Sequence, residues 1–285
     1  MSAQPSWAPL LRTPHPCDHL VQLYTDDSFL VRAVGHFLAS GLTQGEAAVI
    51  VATPEHAEAF RQELGSLGVD VASAVDRGQF TALDADECLS KFMVDGMPDG
   101  HKFRALVTPV LERVRAAGFR SIRLYGEMVN LLFAENLPAT VALEELWNDL
   151  LAAERVSLLC AYRIDNFDRR AHRGLLHRIS RCHSHLIPVD DYDRLDRAVD
   201  RAYEDVFGSR GSAADLRRLI TTHYPTEPAM PSAQAALFAL NGLARSVADA
   251  VIERTGAYYM EGLDGPPSPP TLGRAPAKPW RASVA

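Results

Sequence analysis

Between residues 45 and 208 the chain alternates short, wholly apolar runs with longer amphipathic ones, and that alternation sets its fold class. "AAVIVA" (47–52) has no polar position, so both of its faces need cover, as in the interior of a parallel sheet. Directly after it, Ala57, Phe60, Leu64 and Leu67 recur at spacings of three and four and mark one face of a helix that ends at Gly68. "FTALDA" (80–85), "SIRLYGEM" (121–128) and "VSLLCAYR" (156–163) repeat the strand pattern. Helical stretches separate them: one around "ECLSKFM", one over 103–118 with Phe103, Val107, Val110 and Val114 inward and a kink predicted at Pro109, and one over 138–154 opened by Pro138. A basic helix over 168–183, an edge strand at "HSHLIP" and a helix over 190–207 complete the unit. This order specifies an α/β protein with a mostly parallel sheet and helices on both faces. Ligands in that architecture bind beyond the carboxyl ends of the strands, here at "ATPEH", "YGEM" and "CAYRIDNF".

Outside this unit the pattern changes. Residues 1–16 carry four prolines and little periodicity and read as a flexible lead-in. Residues 208–260 read as a helical C-terminal extension whose best helix, 233–256, aligns Leu237, Leu240, Ala244, Val247 and Val251. That seam is the expected contact for a regulatory protein partner or for a second copy in a homodimer. The Pro-rich residues 261–285 read as a disordered tail.

A formal net charge of −7 argues against a sequence-independent grip on nucleic acid, which requires concentrated positive charge. No run approaches the ~18 apolar residues of a membrane span. The N-terminus lacks the charged and apolar regions of a signal peptide. Cys17, Cys88, Cys160 and Cys182 form no CxxC pair, so reduced thiols in the cytoplasm are expected.

The junction "GEAAVIVATPEHAEAF" (45–60) is where a nucleotide-binding α/β protein holds its phosphates. A working phosphate loop needs glycines that let backbone N–H groups converge, a lysine and a hydroxyl for Mg²⁺. Thr53-Pro54-Glu55-His56 offers a helix cap, a proline and an acid instead. The junction therefore reads as scaffold without ATP hydrolysis, and the protein as a non-enzyme.

Seven short motifs occur in one order: "DHLVQLYTDDSFL", "FLASGLTQGEAAVIVAT", "FMVDGMPDGHKF", "LYGEMVNLLF", "LEELWNDL", "LLCAYRIDNF" and "RCHSHLIP". Together they resemble the MEDS family, the sensory domain of methanogen and methylotroph regulators related to DcmR, over about residues 17–207. The resemblance implies a RecA/KaiC-like sandwich lacking the Walker A phosphate loop. It also implies a sensory role toward small organic molecules, with the signal passed to a transcriptional or signalling partner.

A small organic ligand would then enter a crevice lined by His19, Tyr24, Thr53, His56, Tyr125, Glu127, Cys160, Tyr162 and His183. Tyr125, Tyr162 and Cys160 would supply apolar or soft contacts; His19, Glu127 and His183 would orient the ligand. Two segments, with His15, Cys17, His19 and with Cys182, His183, His185, could supply metal ligands if they met. Neither has the spacing of a common structural zinc site, so no metal and no cofactor are expected. Arg169, Arg170, Arg173, Arg178 and Arg181 read as a solvated basic face. Two other classes stay open: a residual nucleotide- or metal-dependent enzyme, and an interaction protein with no small ligand.

Overall fold

In the computed structural model, residues 6–222, 224 and 227–261 are described. Six parallel strands form one sheet: β1 (His19–Tyr24), β2 (Ala47–Ala52), β3 (Phe80–Asp84), β6 (Ile122–Gly126), β7 (Ser157–Arg163) and β8 (His185–Ile187). Their spatial order is β3-β2-β6-β7-β1-β8, with β3 and β8 at the edges. β4 (Met93–Val94) and β5 (Met97–Pro98) make a separate two-residue antiparallel pair. The predicted parallel sheet is what the chain builds.

β1 carries a strand that the apolar runs do not announce. "HLVQLY" contains two polar residues, yet every position is buried. Gln22 is tolerated because its Nε2 donates to the Phe29 carbonyl at 3.2 Å, which offsets the cost of burying an amide.

One face of the sheet is covered by α1 (Ala8–Arg12), α2 (Asp27–Thr43), α3 (Pro54–Ser66) and α4 (Val71–Asp76). The other is covered by α5 (Ala85–Phe92), α6 (Gly100–Ala116), α7 (Met128–Phe133), α8 (Leu137–Glu154), α9 (Arg169–His172) and α10 (Leu175–Ser180). α11 (Tyr192–Phe207), α12 (Arg210–Thr222), α13 (Ser232–Leu243) and α14 (Arg245–Met260) enclose a third apolar cluster.

Several sequence expectations need correction. The lead-in is docked, not flexible, over residues 7–12: Trp7 and Leu11 are fully buried, and Trp7 Nε1 donates to the Asp190 carbonyl at 3.0 Å. Four prolines conceal one turn of helix held by an aromatic anchor. Leu67 is exposed, because the helix ends at Ser66 and the chain turns away at Gly68, where φ is +82°. The basic stretch 168–183 is two short helices parted at Gly174, whose φ of +123° suits only glycine.

The helix expected over 233–256 breaks at Ala244, whose φ of −149° and ψ of 81° are not helical, and residues 210–222 are helical although they read as breaker-rich. Leu237, Leu240 and Val251 are buried inside the third cluster, so the seam offered to a partner is already covered by the chain itself. The Pro-rich tail expected over 261–285, apart from residue 261, lies outside the described residues. No helix among the described residues is long and apolar enough to cross a membrane.

Candidate functional site

A doubly wound sheet opens crevices where neighbouring strands send their helices to opposite faces. This sheet does so twice. β2 runs into α3 on one face while β6 runs into α7 on the other; β1 runs into α2 while β7 runs into α9 and α10. The nine sequence candidates sort around these two points, with four of them deeper in the sheet.

At the β2–β6 point the crevice is closed by Glu127, which is 1% exposed. Its Oε1 accepts from the Thr53 backbone N–H. Its Oε2 accepts from His56 Nδ1 at 2.5 Å and from the Tyr125 hydroxyl at 3.2 Å. The Thr53 side chain caps α3 by accepting from the His56 N–H at 3.4 Å. Tyr24 stands nearby at the end of β1, with the Arg163 guanidinium 4.9 Å from its ring centre. Arg163 pairs with Asp27, which lies 3.8 Å from His56 Nε2. Thus Tyr24, Thr53, His56, Tyr125 and Glu127 assemble on one side. The free N–H that a phosphate would use is already taken by a carboxylate.

Burial disfavours protonated His56, but the hydrogen bond and charge of Glu127, with Asp27 adding to them, outweigh it, so His56 titrates above its ordinary value. A raised histidine pKa means that the stabilisation is fully present below the free-imidazole value of ~6.5 and is lost as pH rises through the folded value. Urea midpoints are therefore expected to fall as pH climbs above ~6.5 and through the raised folded value, and His56→Gln should flatten that dependence. A variant that keeps the full pH slope would contradict the pairing.

His19, Cys160, Tyr162 and His183 lie on the opposite face, under α8. Register explains the split: Tyr125 sits opposite Leu159 and Gly126 opposite Cys160, and side chains alternate along a strand. Tyr125 packs on Phe60 at 4.9 Å on the α3 face, whereas Tyr162 packs on Phe133 at 5.5 Å on the α7 face. The single crevice expected from the sequence is therefore corrected to two hydrogen-bonded groups on opposite faces.

The second group centres on Glu144 of α8, which sequence reasoning missed. Its Oε1 accepts from the Tyr162 hydroxyl at 2.5 Å and lies 3.4 Å from His183 Nε2; its Oε2 lies 3.4 Å from His19 Nε2 and 3.9 Å from Cys160 Sγ. His19 Nε2 is 3.3 Å from Cys160 Sγ. Burial, with the His183 charge adding, holds His19 down at about 4. Burial also pushes the Cys160 thiol and the Tyr162 hydroxyl well up, with Glu144 adding to both. A signal for Glu144 does exist in the sequence. Thr140, Glu144, Trp147 and Leu151 follow one helical stripe, and all four are buried, so a charge stands in an apolar row. Of the two Cys/His segments, His19 and His183 meet; exposed Cys17 does not join them, and His185 turns to Asp18 at 3.9 Å.

The β1–β7 point is different, because it is open. A cleft of about 890 Å³ lies beyond the carboxyl ends of β1, β7 and β8, with α14 as its far wall. Tyr24, Phe29, Phe167 and Tyr259 give it aromatic sides. Asp26, Asp165, Asp168, Asp190, Asp191 and Glu253 face it against only Arg169 and Arg194, which weights it toward negative charge. Asp26, Asp168 and Asp191 each cap their own helix by accepting a backbone N–H. Of its lining, Tyr24 stood among the nine sequence candidates and Ile164, Asp165, Asn166 and Phe167 fall in the "CAYRIDNF" stretch; most of the rest lies on loops and on α14, where periodicity gives no direction.

No well-characterised protein matches the chain in sequence. A KaiC-like protein from the hyperthermophilic archaeon Pyrococcus horikoshii OT3 is similar at a TM-score of 0.37 and 17% identity, over 52% of this chain and 64% of its own. The sequence profile described as MEDS, the methanogen/methylotroph, DcmR sensory domain, matches residues 18–184, more than half of the chain. The motif order and that match agree: the chain belongs to the MEDS family of sensory domains.

Proposed function

We propose that this protein is a non-catalytic sensor that binds a small polar organic molecule, with positive charge accepted and phosphate refused, in the cleft between the sheet and α14. The observation that carries the reading is the position of that cleft. It occupies an open switch point of the sheet, and one wall belongs to the C-terminal helices. Aromatic sides with carboxylates between them suit an organic cation. The capped helix ends and the excess of acid disfavour an anion.

The same features support a non-enzyme. Where a nucleotide-driven relative would hold phosphate, Glu127 occupies the crevice and places a negative charge there. A ligand changes output only by binding two conformations unequally. Here the unequal element is α14, which meets the ligand on one side and α11 and α13 on the other. Passage of that change to a transcriptional or signalling partner is part of the same proposal.

The test is a thermal-shift series on the full chain with short-chain alkylammonium salts, alcohols and Mg·ATP in parallel. Saturable stabilisation by an alkylammonium salt, lost in Tyr259→Ala, is the expected result. Stabilisation by Mg·ATP instead would contradict it. Gly256 offers a second handle, because a Cβ there would stand 2.8 Å from Phe167 Cβ. Gly256→Val is expected to cost about 1–3 kcal/mol by overpacking and to weaken the stabilisation; an unchanged response would separate α14 from the site.

A further inference from the structure

We infer that His19, Glu144, Cys160 and His183 form a closed four-ligand site for a divalent transition metal of the zinc class, buried under α8 and separate from the ligand cleft. The four donor atoms all lie within 4.8 Å of one another, and all four residues are buried. Tetrahedral zinc, with bonds of ~2.0 Å to nitrogen or oxygen and ~2.3 Å to sulfur, sets neighbouring donors about 3.3–3.6 Å apart. The separations of 3.3 Å for His19 Nε2 to Cys160 Sγ, 3.4 Å for His19 Nε2 to Glu144 Oε2 and 3.4 Å for His183 Nε2 to Glu144 Oε1 fall in this range, the two imidazoles facing different oxygens of the carboxylate. The separation of Glu144 Oε2 from Cys160 Sγ, 3.9 Å, exceeds the range.

The outer hydrogen bonds decide which nitrogen is offered. Asn148 Nδ2 donates to the Cys182 carbonyl at 3.0 Å, which turns Asn148 Oδ1 toward His19 Nδ1 as an acceptor at 2.8 Å. The Ile179 carbonyl accepts from His183 Nδ1 at 2.7 Å. Both rings are thereby held with Nδ1–H outward and Nε2 facing inward, the orientation that metal-binding histidines receive from their outer contacts. His183 Nε2 has no hydrogen-bond partner, although its side chain is fully buried. A carboxylate facing two imidazole nitrogens at 3.4 Å calls for positive charge between them, which either a proton on a ring or a bound metal ion supplies. A thiolate and a carboxylate carry two negative charges, which neutralise a divalent ion, and the sulfur and imidazole donors favour zinc over calcium or magnesium.

This replaces the sequence expectation of no metal, which rested on local spacing. The donors come from β1, α8, β7 and the turn before β8, so the topology and not a short motif brings them together. The site is independent of the sensing proposal, and either can fail alone.

Full-length protein stripped with chelator and titrated with cobalt(II) chloride gives the test. The expected result is uptake of one cobalt per chain, with a thiolate-to-metal charge-transfer band and ligand-field bands of tetrahedral intensity. Cys160→Ser should abolish the charge-transfer band, while Cys17→Ser, Cys88→Ser and Cys182→Ser keep it. Asn148→Ala leaves every donor in place and should lower zinc affinity about 10–100-fold through the loss of ring orientation. Absence of cobalt uptake by the wild-type protein would overturn the assignment and leave a buried histidine–carboxylate pair. So would a band that survives Cys160→Ser.

Discussion

Glu127→Ala is expected to lower the free energy of unfolding by about 3–5 kcal/mol, the scale for removing one partner from a buried charged network. Three donors lose their acceptor at once: the Thr53 N–H, the His56 ring and the Tyr125 hydroxyl. Tyr125 is fully buried, so water does not replace the carboxylate there. Glu127→Gln should recover only part of the loss, because its NH₂ group meets donors on both sides. A reduced urea midpoint at unchanged slope is the readout. A loss below about 1 kcal/mol would mean that the carboxylate is not a closing group, and the crevice would again be a candidate for a ligand.

Arg123→Ala should cost a comparable amount, about 3–5 kcal/mol, for a different reason. Its guanidinium is 2% exposed in the middle of β6 and joins three parts of the chain. Nη1 donates to the Leu11 and Phe37 carbonyls at 2.9 and 2.8 Å, Nη2 to the Arg12 carbonyl at 3.0 Å, and Nε pairs with Glu46. Leu11 and Arg12 belong to α1, so this one side chain ties the N-terminal turn to the sheet. The variant should therefore expose the Arg12–Thr13 bond to trypsin as well as lower stability. Loss of stability with no new cleavage would show that Trp7 and Leu11 alone hold α1. Gly41 supports the same node: a Cβ there would stand 2.5 Å from Arg123 Nε, so Gly41→Ala should partly reproduce the defect.

The sequence announced the elements that bury apolar residues on both faces. "AAVIVA", "IRLYG" and "SLLCAYR" were readable as strands because no alternative burial suits them. β1 was not, since His19 and Gln22 interrupt its run and become tolerable only through Asn148 and the Phe29 carbonyl, contacts distant in sequence or made after folding. The break at Ala244 was hidden because apolar spacing continues on both sides of it.

The site was legible in pieces. The sequence places nine residues around one crevice, but their division between two faces depends on the register of β6 against β7, which no local pattern encodes. Glu144 was concealed by an otherwise amphipathic helix, where a carboxylate is expected outward. The open cleft was concealed more fully. Its walls come from the loops after β1, β7 and β8 and from α14, elements brought together by pairs such as Arg173–Asp249 at 2.7 Å and Arg169–Glu253 at 3.1 Å. Those pairs also account for two charges of the arginine-rich stretch, at the surface of a helix that Val251 and Ile252 anchor from within.

Hydrogen exchange on the full chain, with and without the strongest stabiliser from the alkylammonium series, tests the sensing account most directly. The account predicts added protection in 164–169, 188–191 and 245–260, with 53–56 unchanged. Protection confined to 53–56 and the segment around Glu127, or any such change on adding Mg·ATP, would contradict it.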